Sequence, residues 1–393
     1  LRRLAANQAV QEAKTAVEDQ TPSQKNWLSA ALQTLQEPSK NIWYAVRIPL
    51  IAIILALLVG AVILALSGAD PIVAYQALFR GAFGSARYIQ RTLEKATPLI
   101  FAGLAVAFGF KAGIFNIGAQ GQLLMGALTA GFVGFAVKGL PPAIHIPLAL
   151  VSGAVAGALF GAIPGALRAY SGAHEVITTI MLNYVAINIT DYLSDGPLKD
   201  TSPGNIVARL PLIEPSAKIP LLGPVPVGFI IALVVAGLIA YVLERTTFGF
   251  EINSVGLNPH ASTYAGMKTK LLIVSALVVS GLLAGVGGAV ETQGVVGRFQ
   301  PGFNTGLGFD GLTVALLGRN NPFGVILAAL LLGAMRGGAN LMQFDAKVSA
   351  NIIDVIQGLM LLFVTADVLI RTVFRLRKDK TSEISLTTSW GGK

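Results

Sequence analysis

Residues 111–125 read KAGIFNIGAQGQLLM and separate two apolar runs, 97–110 and 123–137. Neither run alone comfortably reaches the ~20 residues needed to cross a bilayer. Between them lie Lys111, Asn116, Gln120, Gln122 and three glycines. Polar, glycine-broken chain persists at membrane depth only where protein or water encloses it. The stretch therefore reads as a bent passage with its amides aimed inward. Its core recurs downstream, where Phe115-Asn116-Ile117-Gly118 reappears as Phe303-Asn304-Thr305-Gly306. Paired interruptions in two halves of a membrane protein point to a solute site.

The composition sets the class. The chain is 53% apolar and 12% charged, about half the charge of a soluble domain. Several long apolar runs predict an all-α polytopic membrane protein, and their lack of alternation excludes a barrel. Without cysteine there is no disulfide, thiolate metal site or cysteine nucleophile. His145, His174 and His260 are scattered and form no metal-ligand pair. No P-loop occurs, and no nucleophile–base pair is apparent, so no catalytic residue, metal or cofactor is expected. The basic excess sits largely in the tails and fits an anionic membrane surface better than nucleic acid.

The chain divides into a polar tail (1–46), a membrane region (47–372) and a basic tail (373–393). The apolar run starts too late for a signal peptide, and the flanking charges place both termini in the cytoplasm. Spans are expected over 48–67, 97–110, 115–137, 146–167, 173–193, 225–243, 271–290, 311–317, 323–341 and 351–370. That makes about ten, two of them short. Residues 69–96 and 194–224 read as external loops, although Arg80, Arg87, Arg91 and Lys95 fit poorly outside. Gly153, Gly157, Gly161 and Gly165 form a stripe for close helix contact. The two FNxG copies fall in spans of opposite direction, as two inverted-repeat halves require.

The polar residues at depth are mainly amides, with isolated charges at Lys111, Asp310, Arg336 and Asp354. Asn116, Gln120 and Gln122 suit base edges and ribose hydroxyls. Phe115 and Phe303 suit stacking. Asn304 mirrors Asn116, and Thr179 and Asn183 share one helix face. The alternative is that these amides join helices and the two phenylalanines only pack. Arg336 and Asp354 are expected to pair or to reach polar surroundings between helices.

Four motifs then carry a resemblance: FNIGAQGQ (115–122), HEVITTIMLNY (174–184), GLNPHASTYAG (256–266) and DGLTVALLGRNNP (310–322). From about residue 48 to 372 the chain resembles permease subunits of bacterial ABC importers in the ribose, simple-sugar and nucleoside branch. It most resembles those of nucleoside systems that use a receptor lipoprotein. Gln120 and His174 depart from the usual Glu and Asn of that pattern. The resemblance implies a pair of permeases, identical or not, in a bacterial cell membrane, with separate cytoplasmic ATPases and an external binding lipoprotein. It also implies that a short cytoplasmic helix docks on the ATPase. In this sequence that helix is carried by Gly256, Asn258, Pro259, Ala261, Ala265 and Gly266, where Asn258 can cap a helix that Pro259 begins. The expected solute is a nucleoside, purine favoured; a ribose-like sugar permease or an ion-coupled carrier are the alternatives. An integral-membrane enzyme or scaffold lacks a convergent set of acid, base or metal ligands in this sequence.

Overall fold

Backbone N–H and C=O groups in lipid have no water to bind, so they pair within helices. The computed structural model describes residues 49–302, 306–349 and 351–365. The chain divides into two units, Leu1–Ile51 and Ala52–Lys393, and the site lies within the second. The two tails and the pair Phe303 and Asn304 lie outside the described residues.

The first half runs α1 (Pro49–Leu66), α2 (Pro71–Phe83), α3 (Ala86–Lys111), α4 (Ala119–Ala136), α5 (Pro142–Ala166) and α6 (Glu175–Asp195). The second runs α7 (Val227–Arg245), α8 (Thr247–Leu257), α9 (Pro259–Tyr264), α10 (Thr269–Glu291), α11 (Leu307–Leu317), α12 (Pro322–Ala346) and α13 (Ile352–Thr365). A π-helical turn extends α5 through Ser171 and another extends α10 through Val296. Among the described residues, seven helices are long and apolar enough to cross a bilayer, and α11 and α13 are shorter apolar ones. The chain is a multi-pass, all-α membrane protein.

Three expectations are corrected. Residues 69–96 are helical rather than a loop. Asp70 caps α2, accepting from Ile72 N at 2.8 Å, and Ser85 caps α3, accepting from Tyr88 N at 3.3 Å. Arg80, Arg87 and Arg91, which fitted poorly in an external loop, sit on exposed helix faces, while Thr92 and Ala96 of α3 lie against Gly337 and Gly333 of α12. The second span is therefore not short, since α3 runs for 26 residues and continues through Pro98. Finally, α4 begins at Ala119, not at Phe115, so FNIG is the turn that enters the helix.

The halves interlock. α3 packs on α11 and α12, and α10 packs on α4 and α5. α3 and α10 lie side by side: Ser280 bonds Ala105 O, while Gly287 sits against Phe101 and Pro98. Rising numbers on one helix meet falling numbers on the other, so the helices that precede the two FNxG copies run antiparallel, as inverted repeats require. The glycine stripe of α5 meets α10. A Cβ on Gly157 would lie 2.2 Å from Gly281 O, and one on Gly281 would lie 2.2 Å from Gly157 O. Backbones this close gain packing where lipid supplies no hydrophobic drive.

Residues 196–226 form an ordered cap. Leu210 N donates to Phe299 O (2.9 Å), Ile213 N to Gly297 O (3.0 Å) and Ile219 N to Gln293 O (3.2 Å). A two-residue hairpin, β1 (Leu221–Leu222) with β2 (Val225–Pro226), leads into α7; Leu221 pairs with Pro226 and Leu222 with Val225. Asp200 ties the cap together. It accepts from Ser202 N at 3.1 Å and Ser202 Oγ at 2.5 Å, and Arg209 and Arg298 stand 3.3 and 3.6 Å away. The Ser202 hydrogen bonds, and then Arg209, hold its carboxyl below the ordinary range.

Candidate functional site

α3 ends at Lys111, and the chain turns through Gly113 at φ +71. Asn116 follows, fully buried. Its Nδ2 donates to Gln122 Oε1 (2.8 Å) and to Ser280 Oγ (2.7 Å). Its Oδ1 accepts from Gly118 N (3.0 Å) and Gln122 Nε2 (3.3 Å). Both donors and both lone pairs of the carboxamide are thereby used. Ser280 Oγ in turn donates to Ala105 O at 2.6 Å. One amide thus joins the entry turn, α4, α10 and α3.

Asn183 clamps α6 to the same turn. Its Oδ1 accepts from Gly121 N (2.8 Å) and its Nδ2 donates to Ile117 O (3.0 Å). Thr179, one turn earlier, donates to Glu175 O at 2.7 Å and packs against Gly118. Gln120 Oε1 accepts from Gly308 N at 2.7 Å, and a Cβ on Gly308 would fall 2.2 Å from Gln120 N. The N-terminal ends of α4 and α11 therefore meet, bringing two partial positive charges together. Phe115 is half-buried edge-on to Phe110, with centroids 4.6 Å apart. In this conformation Asn116, Gln120, Gln122, Thr179 and Asn183 are each at most 3% exposed.

A second polar cluster lies across the antiparallel pair. Arg336 of α12 pairs with Asp310 of α11 and reaches Gln357 Oε1 of α13 at 3.5 Å. Asp354 is exposed, within electrostatic reach of Asp310. Of the two charges expected to pair or reach polar surroundings, Arg336 takes Asp310 as its partner. Glu291 at the end of α10 is 2% exposed, within electrostatic reach of Lys95, Glu94 and Arg336.

The segment 256–266 is built as its residues dictate. Asn258 Oδ1 accepts from Ala261 N at 3.0 Å, and Pro259 opens α9, where a missing N–H costs nothing. Gly266 closes the turn at φ +84. Ala261 and Ala265 are exposed, Leu257 is 74% exposed and Tyr264 95%. Gly256 faces the other way. A Cβ there would lie 2.1 Å from Lys111 O and 2.9 Å from Gly113 N. The end of α8, which leads into the exposed α9, thus adjoins, backbone to backbone, the turn that leads into Asn116.

Comparison with known proteins agrees with this architecture. The family model described as branched-chain amino acid transport system / permease component matches residues 88–365. The chain belongs to this permease family. It is 43% identical to the guanosine ABC transporter permease protein NupP of Bacillus subtilis, over 85% of this chain and 97% of that one. It is 37% identical to the nucleoside ABC transporter permease protein NupB of Lactococcus lactis, over 88% and 98%. It is 34% identical to a glucose ABC transporter permease protein of Haloferax volcanii, over 83% and 89%. No solved structure matches the chain significantly.

Sequence reasoning missed two members of the permease's polar interior. Ser280 is one of two serines, with Ser275, in an apolar helix, and nothing in its neighbourhood marks it. Glu291 was legible: a carboxylate directly after twenty mostly apolar residues, 271–290, is expensive in a membrane and marks function by default.

Proposed function

We propose that this permease is the membrane subunit of a bacterial ATP-driven importer for nucleosides, with purines favoured. The similarity to guanosine and nucleoside permeases over nearly their whole lengths carries this reading. The chain itself performs no hydrolysis and needs no cofactor; ATP is used by two partner ATPases. A lipoprotein receptor delivers the solute from outside, and the bacterial plasma membrane is the site of action.

The geometry supports a mechanism. The exposed α9, with its small apolar face, suits docking on an ATPase. The Gly256–Gly113 contact passes a push on α9 to the entry turn, because two backbones in contact leave no side chain to yield. The turn holds Asn116, which holds α4, α10 and α3. Asn116, Gln120, Gln122, Thr179 and Asn183, together with Phe115, form the closed centre of the solute pathway, and Phe303 and Asn304 supply its counterpart.

A second permease, a copy or a paralogue, covers α6. That helix crosses the membrane with Asn188 and Asp191 exposed, and with Tyr184 and Tyr192 exposed by 60% and 72%. An aspartate and an asparagine on a crossing helix face protein or a water-filled route rather than lipid.

The test is ATP-driven uptake of labelled guanosine into proteoliposomes that hold the permease pair, ATPases and receptor. Uptake that an uncoupler abolishes while ATP persists would replace this reading with an ion-coupled carrier. The glucose permease relative keeps one second reading, a simple-sugar permease. Thermal-shift screening of the cognate receptor with guanosine and glucose separates the two.

A further inference from the structure

Buried polar atoms without a hydrogen-bond partner occur at Glu175 in the first half and at Glu291, Gln293, Asn320, Arg336 and Gln357 in the second, and two of them, on Arg336 and Gln357, belong to side chains in contact. Arg336 sits ten residues before the end of α12 at Ala346, about 15 Å along the axis, so its charge is inside the apolar layer. Its Nη2 serves Asp310 and Gln357 Oε1. Its Nε has no acceptor, and the Nε2 of Gln357, a residue only 4% exposed, has none either. Two side chains in contact thus each keep an enclosed, unanswered N–H donor. A pair serving structure alone is expected to complete its hydrogen bonds, because unanswered donors are costly in a low dielectric.

Two further observations point the same way. The Arg336 and Asp310 side chains remain 20% and 18% exposed at a depth where charge does not face lipid. They open onto a partner or a water-filled route. Glu291, within electrostatic reach of Arg336, keeps Oε2 without a donor.

We propose that Arg336 and Gln357, with Asp310 holding the guanidinium, are a solute-recognition point that reads the O6 and N7 acceptors of a 6-oxopurine nucleoside. The proposal rests on the nucleoside-import reading above. Guanidinium N–H groups match O6 and N7 of guanine in a two-point contact. Adenine puts an amino donor in place of O6 and meets donors with a donor. Glu291 adds an acceptor for the N1–H and 2-amino side of the base. Both donors are enclosed in this conformation, so recognition belongs to the state in which α13 moves off α12. The weak, transient contact suits a route that the solute must leave.

The test uses the complete importer in proteoliposomes with an unaltered receptor, and measures uptake of guanosine and 7-deazaguanosine, which lacks the N7 acceptor. Arg336→Lys keeps a positive charge opposite Asp310 and loses Nε; Gln357→Leu removes the amide at similar size. Each variant is expected to hydrolyse ATP as the wild type does while guanosine uptake falls about tenfold or more. The guanosine preference over the analogue is expected to shrink toward one. The receptor's own selectivity cancels in the ratio of variant to wild type. Gln357→Asn replaces the leucine variant if that one does not fold. Wild-type guanosine uptake by both variants, or an equal fall for both solutes, overturns the site while leaving nucleoside import standing. A wild-type importer that takes up no nucleoside with ATP overturns the underlying reading, and this site with it.

Discussion

Gly256→Ala tests whether α9 drives the interior. The new Cβ would stand 2.1 Å from the backbone oxygen of Lys111, against 3.4 Å for ordinary contact. Neither neighbour is a flexible side chain, so the end of α8 and the turn at Lys111–Gly113 must separate by about 1.3 Å. Overpacking of this kind costs about 1–3 kcal/mol, which a folded membrane protein tolerates. α9 itself keeps its Asn258 cap and exposed face, so docking on the ATPase is expected to survive. The push is not, because the contact that carries it has been wedged apart. A misplacement near 1 Å lowers rates by about 100-fold when geometry is critical; here about 10- to 100-fold less uptake per ATP hydrolysed is expected. The assay reconstitutes the importer and measures guanosine uptake and phosphate release in the same vesicles. Gly237→Ala, on a face of α7 with nothing within 4 Å of the new Cβ, is the control and is expected to be silent. If Gly256→Ala couples uptake to hydrolysis as tightly as the wild type does, force does not pass through this contact and the reasoning fails.

Asn116→Ala removes four hydrogen bonds at once and leaves buried groups unpaired at about 1–3 kcal/mol each. Its thermal midpoint in detergent should fall well below that of Thr365→Ala, a substitution at an exposed position. Gly157→Leu forces α5 off Gly281 and Gly285, and should yield little folded protein on size exclusion while Val155→Leu, on an exposed position of α5, runs normally. Asp200 has a folded pKa below its unfolded value of 3.8. Its contribution to the cap is therefore complete above that value and disappears as pH falls through the lower, folded pKa. Pepsin should cut 196–214 faster below pH 3.8 than expected from its general activity, and Asp200→Asn should remove that extra pH dependence.

The membrane class was legible because apolar run length is a one-dimensional quantity. So were the glycine stripe of α5 and the cap and proline of α9, because each depends on near neighbours in the chain. The loop reading of 69–96 failed because the span was counted only from the apolar run at Thr97; the basic residues that fitted poorly outside lie on the same helix, where Arg87 and Arg91 fall on one exposed face while Thr92 and Ala96 turn to α12. Sequence placed the amides of α4 and α6 near one another in function, and the structure brings Asn116, Gln122 and Asn183 to the same turn. It could not show which of their hydrogen bonds were already taken.

Taken alone, the order of residues determined that this chain lies in lipid, that it is helical, that it is broken at two related places and that it belongs among importer permeases. Folding decided who meets whom: Asn116 with Ser280, Gln120 with Gly308, Arg336 with Asp310, Gly256 with Gly113. Each pair joins residues at least 26 positions apart in the chain. Local propensity acts over a few residues, so only the packing of elements distant in the chain fixes which polar groups are closed upon protein and which are left for a solute.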